Sequence, residues 1–297
     1  MKKYVSIDIG GTGIKYGMID EEGEFLSQGK VATEAHRGGG MIVTKVMGIV
    51  KQYQNIEKIS GICISTAGMV DAVKGEIFYS GPLIPDYTGT RWKKMMETTF
   101  GLPCEVENDV NCAGLAESVT GAAKGKRIAV CLTVGTGIGG CILINQRVFR
   151  GYGNSACEIG YMYMDNSDFQ SLGASSVLCR KVCEQKRAVT GEWGGRRIFE
   201  EAKKGDEICI RAIDEMVEAL GKGIANICYV LNPQVVVLGG GIMAQEEYLK
   251  PRIREALNRY LIPQLARKTS IQMAVHGNNA GMLGAFYHFL IRQGVRK

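Results

Sequence analysis

Asp8-Ile9-Gly10-Gly11-Thr12-Gly13-Ile14-Lys15 breaks a run of strand-forming residues with a glycine-rich turn, and the chain then resumes a strand pattern. Leu132-Thr133-Val134-Gly135-Thr136-Gly137-Ile138-Gly139-Gly140 does the same later. Around the first segment the alternation predicts a three-stranded meander over 4–9, 15–20 and 24–33. Around the second it predicts a strand over 127–134, a turn over 135–140 and a returning strand over 141–145. Two strand–glycine turn–strand openings in one chain predict a duplicated α/β lobe.

Helices are expected at 41–54, 91–100, 110–120, 206–231 and 280–292, and further strands at 59–65, 103–107, 234–238 and 272–275. Gly239-Gly240-Gly241 then reads as a βα turn. Gly135-Thr136-Gly137-Ile138-Gly139-Gly140 is a literal G-x-G-x-x-G, but the dinucleotide fingerprint requires a helix directly after it. Cys141-Ile142-Leu143-Ile144 follows instead, a strand. No G-x-x-x-x-G-K-[ST] loop is present either. What remains is a tight hairpin whose backbone N–H groups face outward without an intervening side chain, which suits phosphate oxygens. One such hairpin is more often an ordinary turn; two, each heading a lobe, favour a nucleotide.

Between them lies Glu107-Asn108-Asp109. Asp109 follows a strand and precedes a helix, which fits either a helix N-cap or a general base. Asn108 can donate and accept toward sugar hydroxyls. Asp8, at the end of the first strand, is suited to hold Mg²⁺ through water. Thr12 and Lys15 would add a hydroxyl and a charge. Glu158, in Gly151-Tyr152-Gly153-Asn154-Ser155-Ala156-Cys157-Glu158-Ile159-Gly160-Tyr161, is a candidate hydroxyl acceptor. His36, His276 and His288 fall in no triad or metal spacing.

Composition narrows the class. The chain has 297 residues, long for one core, with 45% hydrophobic and 22% charged residues as in ordinary globular proteins. The net charge of +6 is spread out, and Lys124, Lys126 and Arg127 make too small a cluster for a nucleic-acid footprint. No secretory leader follows Met1-Lys2-Lys3, and no apolar run spans a bilayer, so a cytoplasmic protein with ten reduced cysteines is expected. Cys179 and Cys183 share one helix face without further ligands nearby, so no structural metal site is expected.

These segments resemble the ROK family of sugar kinases, a branch of the actin-like, hexokinase-type ATPases. D-I-G-G-T-G-I-K at 8–15, E-N-D-V-N at 107–111, L-T-V-G-T-G-I-G-G at 132–140, C-E-I-G-Y at 157–161, L-G-G-G at 238–241 and N-A-G-M-L-G-A at 279–285 run in family order. The resemblance implies a two-lobed α/β actin-like ATPase (ribonuclease H-like) fold with duplicated βββαβα-type lobes. An N-terminal lobe over 1–118, joined by a C-terminal helix at about 281–297, would be followed by a C-terminal lobe over 119–280. Sugar and Mg·ATP would occupy the cleft, and a homodimer without nucleic-acid or membrane partners is implied. Asp109 would take the proton from a sugar hydroxyl, usually the 6-hydroxyl, as it attacks the γ-phosphate. Asn108, Glu158 and Gly68 would bind the sugar. Gly10, Gly11, Thr12, Lys15, Thr133, Gly135, Thr136 and Gly137 would bind phosphates, and Gly240 and Gly241 the adenosine.

Two departures stand out. Tyr161 stands where the family usually has a histidine, and residues 162–175 lack the family's zinc-binding cysteines. Ser171 falls by spacing where a sugar-contacting glutamate is usual. This pattern resembles zinc-free β-glucoside kinases and some N-acetylmannosamine kinases. Neutral Tyr161 and Ser171 leave less charge around the anomeric and 2-position end of the sugar, which would admit a glycoside or N-acetyl substituent. The competing classes are a sugar-responsive regulator, which needs an extension ahead of Asp8, and a non-catalytic sugar-binding protein, which would have no use for Asp109.

Overall fold

The computed structural model describes residues 1–295. The chain forms two compact units: Met1–Val119 with Arg150–Ala156 and the stretch from Asn278, and Thr120–Phe149 with Cys157–Gly277. In the first unit β1 (Lys3–Ile9), β2 (Gly13–Asp20) and β3 (Phe25–Ala32) form the meander. α1 (Gly39–Ile56), β4 (Gly61–Thr66), a hairpin of β5 (Met69–Asp71) and β6 (Glu76–Tyr79), α2 (Trp92–Phe100), β7 (Cys104–Asn108) and α3 (Asp109–Val119) follow. The sheet order is β3-β2-β1-β4-β7, with β1, β4 and β7 parallel. Val5, Ile7 and Ile9 of β1 are wholly buried and cluster with Ile42 and Val46 of α1, and with Tyr87 and Trp92.

The second unit repeats this plan. β8 (Ile128–Val134), β9 (Ile138–Ile144) and β10 (Arg147–Phe149) make its meander. A small hairpin of β11 (Tyr163–Met164) and β12 (Ser167–Asp168) leads into α4 (Phe169–Gly173), α5 (Ser175–Gln185), α6 (Gly195–Lys203) and α7 (Glu207–Leu231). β13 (Val235–Gly239), α8 (Glu246–Tyr260), α9 (Pro263–Ala266) and β14 (Ser270–Met273) complete it. The order β10-β9-β8-β13-β14 reproduces that of the first sheet strand for strand. Its core includes Phe169, Phe199, Ile224 and Leu238.

α10 (Ala280–Arg292) returns to the first unit. It lies so close to α3 that a Cβ on Gly284 would come within 1.8 Å of the Cys112 carbonyl oxygen. α7 and α8 of the second unit meet similarly, with a Cβ on Gly221 at 2.8 Å from the Ala256 carbonyl carbon. Backbone atoms cannot swing aside as side-chain ends can, so both helix pairs depend on glycine.

Two sequence expectations change. The second glycine turn is shorter than 135–140, because the returning strand starts at Ile138. Gly140 is a strand residue whose missing side chain admits Cys157, with the Cys157 Sγ 2.5 Å from where a Cβ would stand. Residues 150–156, placed by the sequence in the C-terminal lobe, cluster with the first unit. Arg150, at the start of this stretch, pairs its guanidinium with buried Glu107.

Candidate active site

Strand register decides what the first unit presents. Lys15 pairs with Asp8, Asp8 with Ser65, and Ser65 with Glu107, so four polar residues form one row across β2, β1, β4 and β7. Registered neighbours share a sheet face. The row sits at the carboxyl ends of the parallel strands, where open α/β sheets place ligands. Asp8 accepts from Ser65 Oγ at 2.7 Å and faces Lys15 Nζ at 3.5 Å. A Cβ on Gly281 would lie 2.4 Å from the Asp8 Cγ, so the first turn of α10 closes directly on this carboxylate. Its oxygens are hard donors of the kind that hold Mg²⁺ through water, so the residue type fits that ion.

The first glycine turn is braced from β3. Gly10 N–H donates to the Gly13 carbonyl at 3.1 Å, and Thr33 N–H donates to the Thr12 carbonyl at 3.2 Å. Thr33 Oγ1 donates to the Gly10 carbonyl at 2.6 Å. Gly11 and Thr12 remain exposed, and a Cβ on Gly11 would meet nothing within 4 Å. Ser65 and Thr33 carried no motif in the sequence; only strand register brings them in.

Asp109 and its neighbours gather in the same unit. Asn108 Oδ1 accepts from the N–H groups of Val110 at 2.9 Å and Asn111 at 3.0 Å, so Asn108 caps α3. Asn108 Nδ2 donates to the Gly68 carbonyl at 2.9 Å and to Asp109 Oδ1 at 3.1 Å. Gly68, at φ +99, holds a conformation that favours glycine. Gly68, Asn108 and Asp109 are therefore joined by one side-chain amide. Beneath them Thr66, Tyr87 and Trp92 form a buried chain of hydrogen bonds. Burial pushes the Tyr87 hydroxyl up to about 12, and the Asp109 charge adds to this.

The second unit carries the other candidates. Gly135 N–H donates to the Gly137 carbonyl at 2.9 Å. Ser176, in the first turn of α5, donates from its N–H to the Gly135 carbonyl at 3.2 Å and from Oγ to the Thr136 carbonyl at 2.6 Å. This brace was not legible in sequence. Thr133 pairs with Gly239 on β13. Gly240, at φ +112, lies so near β8 that a Cβ would come within 2.1 Å of the Val134 carbonyl oxygen. The Gly240-Gly241 turn is thus brought beside the Gly135 loop, while Gly241 and Gly135 have open space where a side chain would be.

Glu158 precedes a short 3-10 helix, Ile159–Tyr161, and is exposed. Partial desolvation of its carboxyl raises the pKa above the ordinary value. A Cβ on Gly160 would lie 2.4 Å from the Ile138 carbonyl, which fixes this segment against β9. Tyr161 and Tyr163 are 63% and 74% exposed, so their rings are open to an incoming molecule. Ser171 is engaged locally: its N–H donates to Asp168 Oδ1 at 2.9 Å and its Oγ to Oδ2 at 3.0 Å. Asp168 caps α4 in this way. Among the described residues no helix is long and apolar enough to cross a membrane, and no cluster of metal-ligating side chains is found.

The ROK family profile matches residues 4–292. The chain belongs to the ROK family. A β-glucoside kinase of Klebsiella pneumoniae is 31% identical over 97% of this chain and 96% of its own. A Listeria monocytogenes structure, assigned provisionally as an N-acetylmannosamine kinase, superposes with a TM-score of 0.89 at 30% identity, covering 98% of this chain and 99% of that one. A ROK glucokinase of Streptomyces griseus, solved with glucose and AMPPNP, gives a TM-score of 0.85 at 28% identity, covering 98% and 100%. Within the ROK family these neighbours share the actin-like ATPase fold, and the repeated strand order of the two units is that fold's duplication.

Proposed function

We propose that this chain is an ATP-dependent sugar kinase that transfers the γ-phosphoryl group to the 6-hydroxyl of a hexose or hexoside, with a β-glucoside as the favoured acceptor. The observation that carries the reading is the Asn108 amide, which caps α3 and joins Gly68 to Asp109. Asn108 Oδ1 caps α3, and Asp109 Oδ1 also accepts from Val110 N–H at 2.9 Å, so both side chains are fixed at the first turn of the helix, with Asp109 as the proposed base. Asp109 would hold the proton of the attacking hydroxyl; positioning and charge stabilisation supply most of the remaining acceleration. Gly10, Gly11, Thr12 and Lys15, with Thr133, Gly135, Thr136 and Gly137, would bind the phosphates, and Gly240 and Gly241 the adenosine. Asp8 would hold Mg²⁺ through water. ATP supplies the transferable group.

Asn108, Gly68 and Glu158 would bind the sugar. The favoured acceptor follows from Tyr161 and Tyr163, whose exposed rings come three and five residues after Glu158 and offer apolar faces to a second ring. With Ser171 committed to Asp168, no added carboxylate is supplied from α4. The protein would act in the cytoplasm, as a homodimer.

An ADP-release screen across glucose, cellobiose, an aryl β-glucoside, mannose, fructose, N-acetylglucosamine and N-acetylmannosamine tests this, with product NMR locating the phosphate. Glycosides should give the highest kcat/KM. Preference for N-acetylmannosamine would move the assignment to that sugar, and turnover of unsubstituted glucose alone would remove the glycoside reading.

A further inference from the structure

Glu107 lies directly before Asn108-Asp109, yet its carboxylate is turned into the protein and is 1% exposed. Each oxygen is doubly engaged. Oε1 accepts from Asn108 N–H at 2.8 Å and Asn111 Nδ2 at 3.1 Å. Oε2 accepts from Arg150 Nε at 2.7 Å and from a terminal guanidinium nitrogen at 2.5 Å. That same nitrogen lies 3.4 Å from His288 Nδ1 on α10. Burial lowers the His288 pKa to about 4, so the ring is neutral and its Nδ1 can accept from Arg150.

Arg150 reaches this place through an unusual excursion of the chain. Phe149 and Cys157 belong to the second unit, while Arg150–Ala156 belongs to the first. The excursion is a closed loop: Ala156 N–H donates to the Arg150 carbonyl at 3.1 Å, and Gly151 turns at φ +65. A buried ion pair contributes little net stability over apolar packing, because desolvation offsets the attraction. Both guanidinium donors converge on Oε2 while Asn108 and Asn111 hold Oε1, so the four bonds together fix the carboxylate's rotation, and Arg150 supplies its two from a rigid planar group that a point charge cannot copy.

From this arrangement we infer that Arg150 and Glu107 are positioning residues for the proposed base: the guanidinium locks the Glu107 carboxylate, which in turn holds the Asn108 peptide and sets the direction of Asp109. The inference rests on the kinase reading for its effect on turnover, but not for its effect on the first turn of α3. A misplacement near 1 Å at a reacting group costs about 100-fold in rate.

The test compares Arg150→Gln, Arg150→Lys and the double variant Glu107→Gln/Arg150→Gln with wild type. Three readouts are taken: Tm, amide exchange of Val110 and Asn111 in the unligated protein, and kcat with KM for ATP on the best sugar. Arg150→Gln should lower kcat about 100-fold, change KM for ATP little, and speed exchange at Val110 and Asn111. Arg150→Lys should fold and show the same pattern more weakly, which keeps the test alive if Arg150→Gln unfolds. The double variant should recover Tm, since no buried charge is left unpaired, without recovering exchange protection or kcat. Recovery of all three together would overturn the inference, as would wild-type kcat and exchange in Arg150→Lys. If the wild type phosphorylates none of the sugars, the kinase reading fails, and exchange alone decides the positioning.

Discussion

The two sheets share strand order but present different chemistry at equivalent places. In the first, the row at the strand ends is Lys15, Asp8, Ser65 and Glu107. In the second, the corresponding row is Gly139, Thr133 and Gly239. One row carries ionisable side chains; the other is nearly bare backbone. Phosphoryl transfer calls for both, fixed charges near the reacting atoms and open N–H groups around phosphate oxygens. The duplicated scaffold therefore supplies position twice and ionised groups once.

The largest expected effect lies on the charged side. Asp109→Ala should lower kcat about 1,000-fold with Tm close to wild type, the loss expected for a general base. Wild-type turnover in that variant would remove Asp109 as the base. Acid should separate the units next. The His288 pKa of about 4 lies below the ordinary 6.5. Between those values the unfolded chain binds a proton that the folded first unit refuses, so stability falls as pH drops through that window. The loss should approach about 3 kcal/mol by pH 4. Denaturant titration of wild type and His288→Gln at pH 7 and 4.5 should show the variant less sensitive to acid; parallel losses would refute the assignment.

Asp8→Asn should then lower kcat about 100-fold, while Thr133→Ala costs less than about tenfold. Equal losses would mean that the two rows do the same work. The smallest effect concerns glycine. Gly240→Ala should destabilise by about 2 kcal/mol, because both the backbone angle and the Val134 carbonyl oppose a side chain. Gly11→Ala should stay within about 0.5 kcal/mol of wild type in stability, since nothing crowds it, and should show its effect in KM for ATP.

Local pattern made much of this legible. The meander strands fall within a few residues of their expected bounds, and α10 runs over Ala280–Arg292, the same residues as the sequence-predicted helix 280–292. Those segments have clear periodicity and clear turn residues. The β5–β6 and β11–β12 hairpins escaped because strands of two to four residues carry too little periodicity. Gly140 reads in sequence as part of the second turn, and Gly160 and Gly281 stand in family motifs with no role assigned, yet all three serve packing, against Cys157, Ile138 and Asp8. Sequence cannot separate those roles, because a glycine that admits a neighbour looks like one that admits a ligand. Arg150 was invisible for a related reason: its partner lies 43 positions away.

The return of α10 to the first sheet bears on the order in which the protein is made. Met282 accepts from Ser6 Oγ, Gly281 closes on Asp8, and Phe289 fills the space over Gly61. All three contacts wait for residues that leave the ribosome after the second unit's last strand. The second unit can thus complete its sheet while the first still exposes the face that α10 will cover. In a vectorially synthesised chain, the half that begins first finishes last, and a nascent protein stalled before Ala280 should offer that uncovered face to chaperones.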